Sequence, residues 1–225
     1  MCGICGEVRF DGGPVEGAVV AKMRDQLVHR GPDTSGLYVS PNGSVGLGFR
    51  RLKIIDLSKN ADAPLPNEDG SVFVMLNGEI YNFIELRQEL QSLGHVFRSE
   101  TDSEVVLAAY ASWGPACFER FNGMWALAIW DRADGKLTVS RDRFGIKPLY
   151  CADLEDRWLF CSEVSPLREL IGTPPTLDLA VTVDFIRYGL AEHGQNCFLR
   201  GICRFPAAHS AEFRPRSSGN DEPLR

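Results

Sequence analysis

The sequence predicts an α+β fold built from mostly antiparallel sheets with helices packed outside them. Three observations lead there. At least eight short strand-like segments are separated by turn residues. Two or three segments carry helical periodicity instead. Many connections have hairpin length, which antiparallel neighbours accept and parallel ones do not.

Residues Ile4 to Phe10 read as the first strand. Pro14 opens a helical stretch in which Val15, Val19, Met23 and Leu27 recur every fourth residue, and Gly31-Pro32 ends it. Leu37 to Ser40 and Val45 to Phe49 form two strands around Pro41-Asn42-Gly43-Ser44, whose Asn-Gly pair favours positive φ. Asp62 to Gly70 is a polar loop, and the apolar run Val72 to Leu76 is a strand covered on both faces. Asn82 with Glu85 three residues on has capping-box spacing, and Gly94 stops that helix. Thr101 and Glu104 repeat the spacing ahead of Val105, Val106, Ala109, Tyr110 and Trp113. Short strands follow at Met124 to Trp130, Lys136 to Arg141, Leu149 to Ala152 and Trp158 to Ser162. Asp184 to Leu190 reads as a short helix, and from Arg214 the chain is a polar, Pro/Ser/Gly-rich tail with no core-forming pattern.

The chain has 225 residues, 44% hydrophobic and 24% charged, ordinary for a soluble globular protein with one large or two small domains. The net charge is -6 and no stretch concentrates Lys and Arg, which argues against nucleic acid as a partner. No apolar run approaches the roughly 18 residues of a membrane span. The start, Met1-Cys2-Gly3-Ile4-Cys5-Gly6, lacks the basic and apolar regions of a signal peptide. Seven cysteines without framework spacing fit free thiols in a reducing compartment, so the expected location is cytoplasmic.

Cys2 is the sharpest local feature. Removal of Met1 would leave a thiol and a free α-amine on one residue, with reference pKa values of about 8.5 and about 8. The amine can then take the thiol's proton, the arrangement that activates N-terminal nucleophiles. On Cys2-Gly3 alone, an incidental cysteine is the simpler reading. Cys2 and Cys5 also form a C-x-x-C, but no second pair or histidine pair completes a zinc site, and Cys5 precedes a strand rather than opening a helix. Cys5 is expected to be a buried apolar residue, and no metal is expected.

Six later segments join this start in order. They are His29-Arg30-Gly31-Pro32-Asp33, Arg51-Leu52-Lys53-Ile54-Ile55-Asp56, Leu76-Asn77-Gly78-Glu79-Ile80-Tyr81-Asn82, Thr101-Asp102-Ser103-Glu104, Asn122-Gly123-Met124-Trp125-Ala126, and Arg141-Asp142-Arg143-Phe144-Gly145-Ile146-Lys147-Pro148-Leu149-Tyr150. Each is weak alone. Together they resemble the class II glutamine amidotransferase domain, and more narrowly the N-terminal half of glutamine-dependent asparagine synthetases. The resemblance covers about residues 2 to 172 and continues more weakly through Asp184 to Phe213.

That resemblance implies a four-layer αββα sandwich of the N-terminal-nucleophile hydrolase type. It divides the chain into an amidotransferase domain at 1–175, the start of a region leading to an absent synthetase domain at 176–213, and a disordered tail at 214–225. It makes Cys2 the nucleophile on the glutamine side-chain amide, and Asn77 and Gly78 the oxyanion donors. Asn77-Gly78 is otherwise an ordinary turn dipeptide, and Gly78 is expected to permit a tight exit from the strand. Arg51 matches the arginine that grips the α-carboxylate, with Arg50 and Arg30 as rivals. The backbone from Leu52 through Ile54 and Ile55 lines the same pocket. Asp102 receives the α-ammonium with help from Glu79, although a carboxylate in a helix's first turn also needs only the dipole to explain it. Arg141, Asp142 and Lys147 are left to structure or domain contact.

The synthetase half of that family carries a pyrophosphate loop resembling S-G-G-x-D-S, absent here, and no Walker-type G-x-x-x-x-G-K-[ST] occurs. No cofactor is therefore expected on this chain, with ATP and Mg confined to the missing synthetase domain. The expected partners are L-glutamine and a synthetase-type acceptor domain or subunit, with no membrane; a homodimer is compatible with the sequence. A truncated gene product explains the change of character after Phe213 slightly better than a separate acceptor chain or a stand-alone domain. The rival functions are another class II amidotransferase, of the amidophosphoribosyltransferase or glucosamine-phosphate synthase type, and a non-catalytic regulatory or interaction module on the same fold.

Overall fold

The computed structural model describes residues 1–54, 56–58, 62–172, 176–191 and 194–215. Runs of β-branched and aromatic residues form the strands. In chain order they are β1 (Gly3–Arg9), β2 (Thr34–Val39), β3 (Val45–Arg51), β4 (Leu65–Pro66), β5 (Val72–Ile80), β6 (Gly123–Asp131), β7 (Lys136–Arg141), β8 (Tyr150–Asp153), β9 (Arg157–Cys161), β10 (Cys203–Arg204) and β11 (Ser210–Phe213). The helices are α1 (Gly17–Asp25), α2 (Phe83–Ser92), α3 (Asp102–Trp113), α4 (Cys117–Arg120), α5 (Val164–Arg168) and α6 (Leu179–Tyr188).

Among the described residues the strands form a six-stranded sheet, β10-β8-β9-β1-β3-β2, and a five-stranded sheet, β11-β7-β6-β5-β4. Every pairing between them is antiparallel. The sheets stack on a shared core that includes Ile4, Val8, Leu47, Met75, Leu127 and Phe160. Helices α1 and α5 cover the outer face of the first sheet, and α3, backed by α2, covers the second. This is the predicted four-layer αββα order. Aromatic pairs tie the layers: Trp158 on β9 stacks on Phe213 of β11 at 4.1 Å, and Tyr38 on β2 meets Phe73 of β5 at 4.1 Å. Each such pair contributes roughly 0.5–1.5 kcal/mol beyond its buried area.

Strand alternation decides which way the N-terminus points. Ile4 and Val8 face the inter-sheet core, and Cys2, at the same period of two, packs against that core as well. Cys5 faces the other way, fully buried beside α1, as expected of an apolar residue. Glycines on β3 let α1 lie close: a Cβ at Gly46 would sit 2.8 Å from a Val20 methyl, and one at Gly48 would sit 3.1 Å from the Arg24 Cβ.

Several elements differ from the sequence expectations. Helix α1 starts at Gly17 rather than at Pro14, and Val20, not Val19, is its buried valine. The Asp62–Gly70 loop contributes the two-residue strand β4. Thr101 caps α3 by accepting from Glu104 N, but the Glu104 carboxylate reaches past Thr101 to the amides of Arg98 and Ser99. Asn82 caps nothing with its side chain; it instead bonds the Arg120 carbonyl and the Asn122 amide, pinning the end of β5 to the start of β6. Helix α6 runs over Leu179–Tyr188, earlier than expected, because Asp178 caps it through the amides of Ala180 and Val181. Of the expected tail, Arg214 pairs with Asp134 at 3.1 Å; residues 216–225 lie outside those described.

Candidate active site

Cys2 sits just ahead of β1, half-buried, with its thiol 3.8 Å from the Leu52 carbonyl. Burial pushes this thiol above its ordinary value. The Arg51 guanidinium pulls it back, and the Asp102 carboxylate adds to the rise. Those two couplings bring three of the predicted residues, from three separate elements, into one electrostatic neighbourhood. The buried thiol is therefore protonated at neutral pH and needs a base to become a nucleophile.

Register explains why Arg51 is the arginine that faces inward. It ends β3 opposite Thr34. Its guanidinium is buried and is held by the Ser58 carbonyl at 2.9 Å, the Asp62 carboxylate at 2.8 Å and the Asp56 carbonyl. Arg50 points to the opposite side and pairs with Asp25 at 2.5 Å. Arg30 does something the sequence did not predict. Its Nε donates to the Cys2 carbonyl at 3.0 Å while Nη1 donates to Glu163 at 3.1 Å, so it fixes the backbone that carries the thiol.

Strand β5 brings the other half together. It does not turn out at Gly78, as the sequence suggested, but runs on to Ile80, paired with β6 along its length from Val72 opposite Asp131 to Ile80 opposite Gly123. In an antiparallel pair, hydrogen-bonded and open positions alternate. Tyr81 donates to the Asn122 carbonyl and Arg132 to the Ser71 carbonyl, so odd-numbered residues of β5 bond β6 and even-numbered ones face away. The Ile80 amide accordingly donates to Asp102 Oδ2 at 3.0 Å on the far edge. The Gly78 amide points to that same edge, beyond the reach of β4, which stops opposite Val74.

Asn77, beside it, is 1% exposed, yet neither its Nδ2 nor its Oδ1 has a hydrogen-bond partner within the protein. An unpartnered buried amide typically costs about 1–3 kcal/mol, and a native site retains that cost when the group serves a ligand. Gly78 is required sterically, since a Cβ there would lie 2.3 Å from the Met124 carbonyl oxygen. We expect Gly78→Ala to lower Tm by about 5 °C or more, checked by calorimetry.

Asp102 opens α3 and is 6% exposed. Burial raises its carboxyl above the ordinary value, and the neighbouring Glu79 adds to the rise. The folded chain thus holds this proton more tightly than the unfolded one. Stability then falls as pH rises from the ordinary carboxyl range through the raised value. Asp102→Asn should consequently be as stable as the parent or more so at pH 7 in denaturant melts. Its KM for a substrate bearing an ammonium should rise by about 10- to 100-fold.

Among the other predicted residues, Ile54 is 73% exposed, and Ile55 lies outside the described residues. Arg141 and Asp142 organise the loop after β7. The Asp142 carboxylate accepts from the amides of Trp125, Phe144, Ile146 and Lys147, and Arg141 donates to the Phe205, Gly145 and Lys147 carbonyls. A cleft of about 770 Å³ between the 62–69 loop and the 94–98 turn shares only Asp62 with the Cys2 neighbourhood. None of the unpartnered buried side-chain atoms among the described residues belongs to its lining.

Two stacked antiparallel sheets between helix layers, with a cysteine just ahead of a central strand, form the αββα arrangement of the N-terminal-nucleophile hydrolase fold. The chain belongs to the glutamine amidotransferase domain family, which matches residues 1–221. It is 41% identical over 168 residues to asparagine synthetase [glutamine-hydrolyzing] 1 of Bacillus subtilis, covering 72% of this chain and 26% of that protein. It is 38% identical over 170 residues to asparagine synthetase [glutamine-hydrolyzing] 2 of the same organism, covering 74% of this chain and 22% of the relative. The chain thus spans about a quarter of the length of these relatives. In structure it is similar to the glutamine phosphoribosylpyrophosphate amidotransferase of B. subtilis, with a TM-score of 0.64, 17% identity, and coverage of 74% of this chain and 43% of that one. That likeness is one of fold. No helix of the described residues is long and apolar enough to cross a membrane.

Proposed function

We propose that this chain hydrolyses L-glutamine to glutamate and ammonia through a thioester on Cys2, and that the ammonia is destined for an asparagine-synthetase-type acceptor. In the mature chain Met1 is removed and the Cys2 α-amine accepts the thiol proton. The sulfur attacks the side-chain carbonyl carbon, and the oxyanion of the tetrahedral intermediate meets the Asn77 carboxamide and the Gly78 amide. The proton passes to the departing nitrogen as ammonia leaves. Water, deprotonated by the same amine, then cleaves the thioester to glutamate. Arg51 receives the α-carboxylate as a planar fork, and Asp102 with Glu79 receives the α-ammonium, whose charge offsets the crowding of two carboxylates.

The observation that carries this reading is the unpartnered Asn77 carboxamide next to an amide aimed at the edge where Asp102 lies. The test is a glutaminase assay on protein whose intact mass shows Met1 gone. Glutamate and ammonia should appear in equal amounts, and a folded, Met1-free chain that releases neither would sink the proposal. On this reading ATP and magnesium belong to the acceptor, the setting is cytoplasmic, and a homodimer of this chain would still need its acceptor from another domain or subunit. The chain alone, given aspartate, ATP and magnesium, should form no AMP; robust AMP formation would reject the assignment of synthesis to another domain.

A further inference from the structure

A second set of chemically competent side chains lies away from the site. Strand β10 pairs with β8 so that Cys203 stands directly opposite Cys151, and Arg204 opposite Tyr150. Directly opposed residues of an antiparallel pair have Cα atoms about 4.5–5.5 Å apart and side chains on one face. A disulfide spans about 4.4–6.8 Å between Cα atoms. Both cysteines are free thiols. Cys203 is exposed, whereas Cys151 is half-buried against the inter-sheet core, and burial pushes its thiol up to about 12. Cys197, whose neighbour Asn196 bridges to Cys203, is buried in the outer core beneath the first sheet.

We propose that Cys151 and Cys203 form a reversible intrachain disulfide by exchange with a low-molecular-weight disulfide. The exposed Cys203 thiolate attacks one sulfur of the small disulfide, forming a mixed disulfide and releasing one small thiolate. The Cys151 thiolate, standing opposite, then attacks the Cys203 sulfur and displaces the second. Two protein thiols are oxidised, one small disulfide is reduced to two thiols, and the two protein protons end on the released thiols. The exposed partner acts first because its sulfur is the more accessible of the two.

The bond would fasten a segment that crosses between the sheets. From β10 the chain runs through Phe205, whose carbonyl takes Arg141 Nη1, and Ala208, whose amide donates to the Asp142 carbonyl at 2.9 Å, into β11 on the other sheet. Oxidation would lock this crossing segment, and with it the Asp142–Lys147 loop that it braces, without touching the Cys2 neighbourhood.

The reduced full-length chain is equilibrated with mixtures of reduced and oxidised glutathione, alkylated in acid quench, and mapped by mass spectrometry without reduction. The expected result is a peptide pair joined through Cys151 and Cys203 that vanishes on reduction and in Cys203→Ser. The oxidised wild-type chain should melt about 5–10 °C above the reduced one. Cys203 carrying only glutathione while Cys151 remains fully alkylated would overturn the proposal. So would a map joining Cys203 to Cys197.

Discussion

Cys2→Ala should leave no measurable glutamine hydrolysis while the fold survives. The side chain is half-buried at the rim of the inter-sheet core, so removing one sulfur should cost on the order of 1 kcal/mol, well within what a domain of this size tolerates. The chemistry has no substitute. Burial holds Cys117 and Cys161 high as well, both pushed up to about 12 inside the cores. A chain that retains Met1 should behave like this variant, since the Cys2 nitrogen is then an amide and cannot accept a proton. Circular dichroism with a glutamate-release assay on both proteins checks the point, and turnover by either would remove Cys2 and its amine from the mechanism.

Asn77→Ala should have the second largest effect, and in two directions at once. Loss of one oxyanion donor lowers kcat by about 100- to 1,000-fold with little change in KM, because the contact strengthens only in the transition state. The same substitution removes two buried polar atoms that the free protein leaves unpartnered. The residual cavity offsets part of that relief, so the expected Tm is equal to the parent's or higher. An inactive and plainly destabilised variant would mark Asn77 as structural. Retained kcat would move the oxyanion site elsewhere.

Much of this was legible in the sequence because local chemistry and global fold agree. The Thr101–Glu104 cap, the Lys136–Arg141 strand and the burial of Cys5 follow from residue types that decide structure within a few positions. The failures share a cause. Asn77-Gly78 looks like a turn, yet long-range pairing with Ala126 and Trp125 keeps it in a strand, and that pairing is what aims the Gly78 amide. Asn82 looks like a cap because its true partners, Arg120 and Asn122, lie about 40 positions away. Arg30 reads only as a rival to Arg51 for the carboxylate, whereas the fold sets its Nε on the Cys2 carbonyl. Propensity speaks for neighbours along the chain, and these three residues answer to neighbours across it.

The crossing of β10 and β11 also constrains how this protein can be dissected. Both strands lie at the rim of their sheets, one on each, although they come after the last helix. A fragment stopped at residue 175 would expose the backbone of β7 and β8, strip Phe213 from Trp158, and leave Arg141 short of the Phe205 carbonyl. Bare strand rims invite self-association. The smallest well-behaved piece should therefore extend through Phe213, and shorter expression fragments should aggregate rather than merely lose activity.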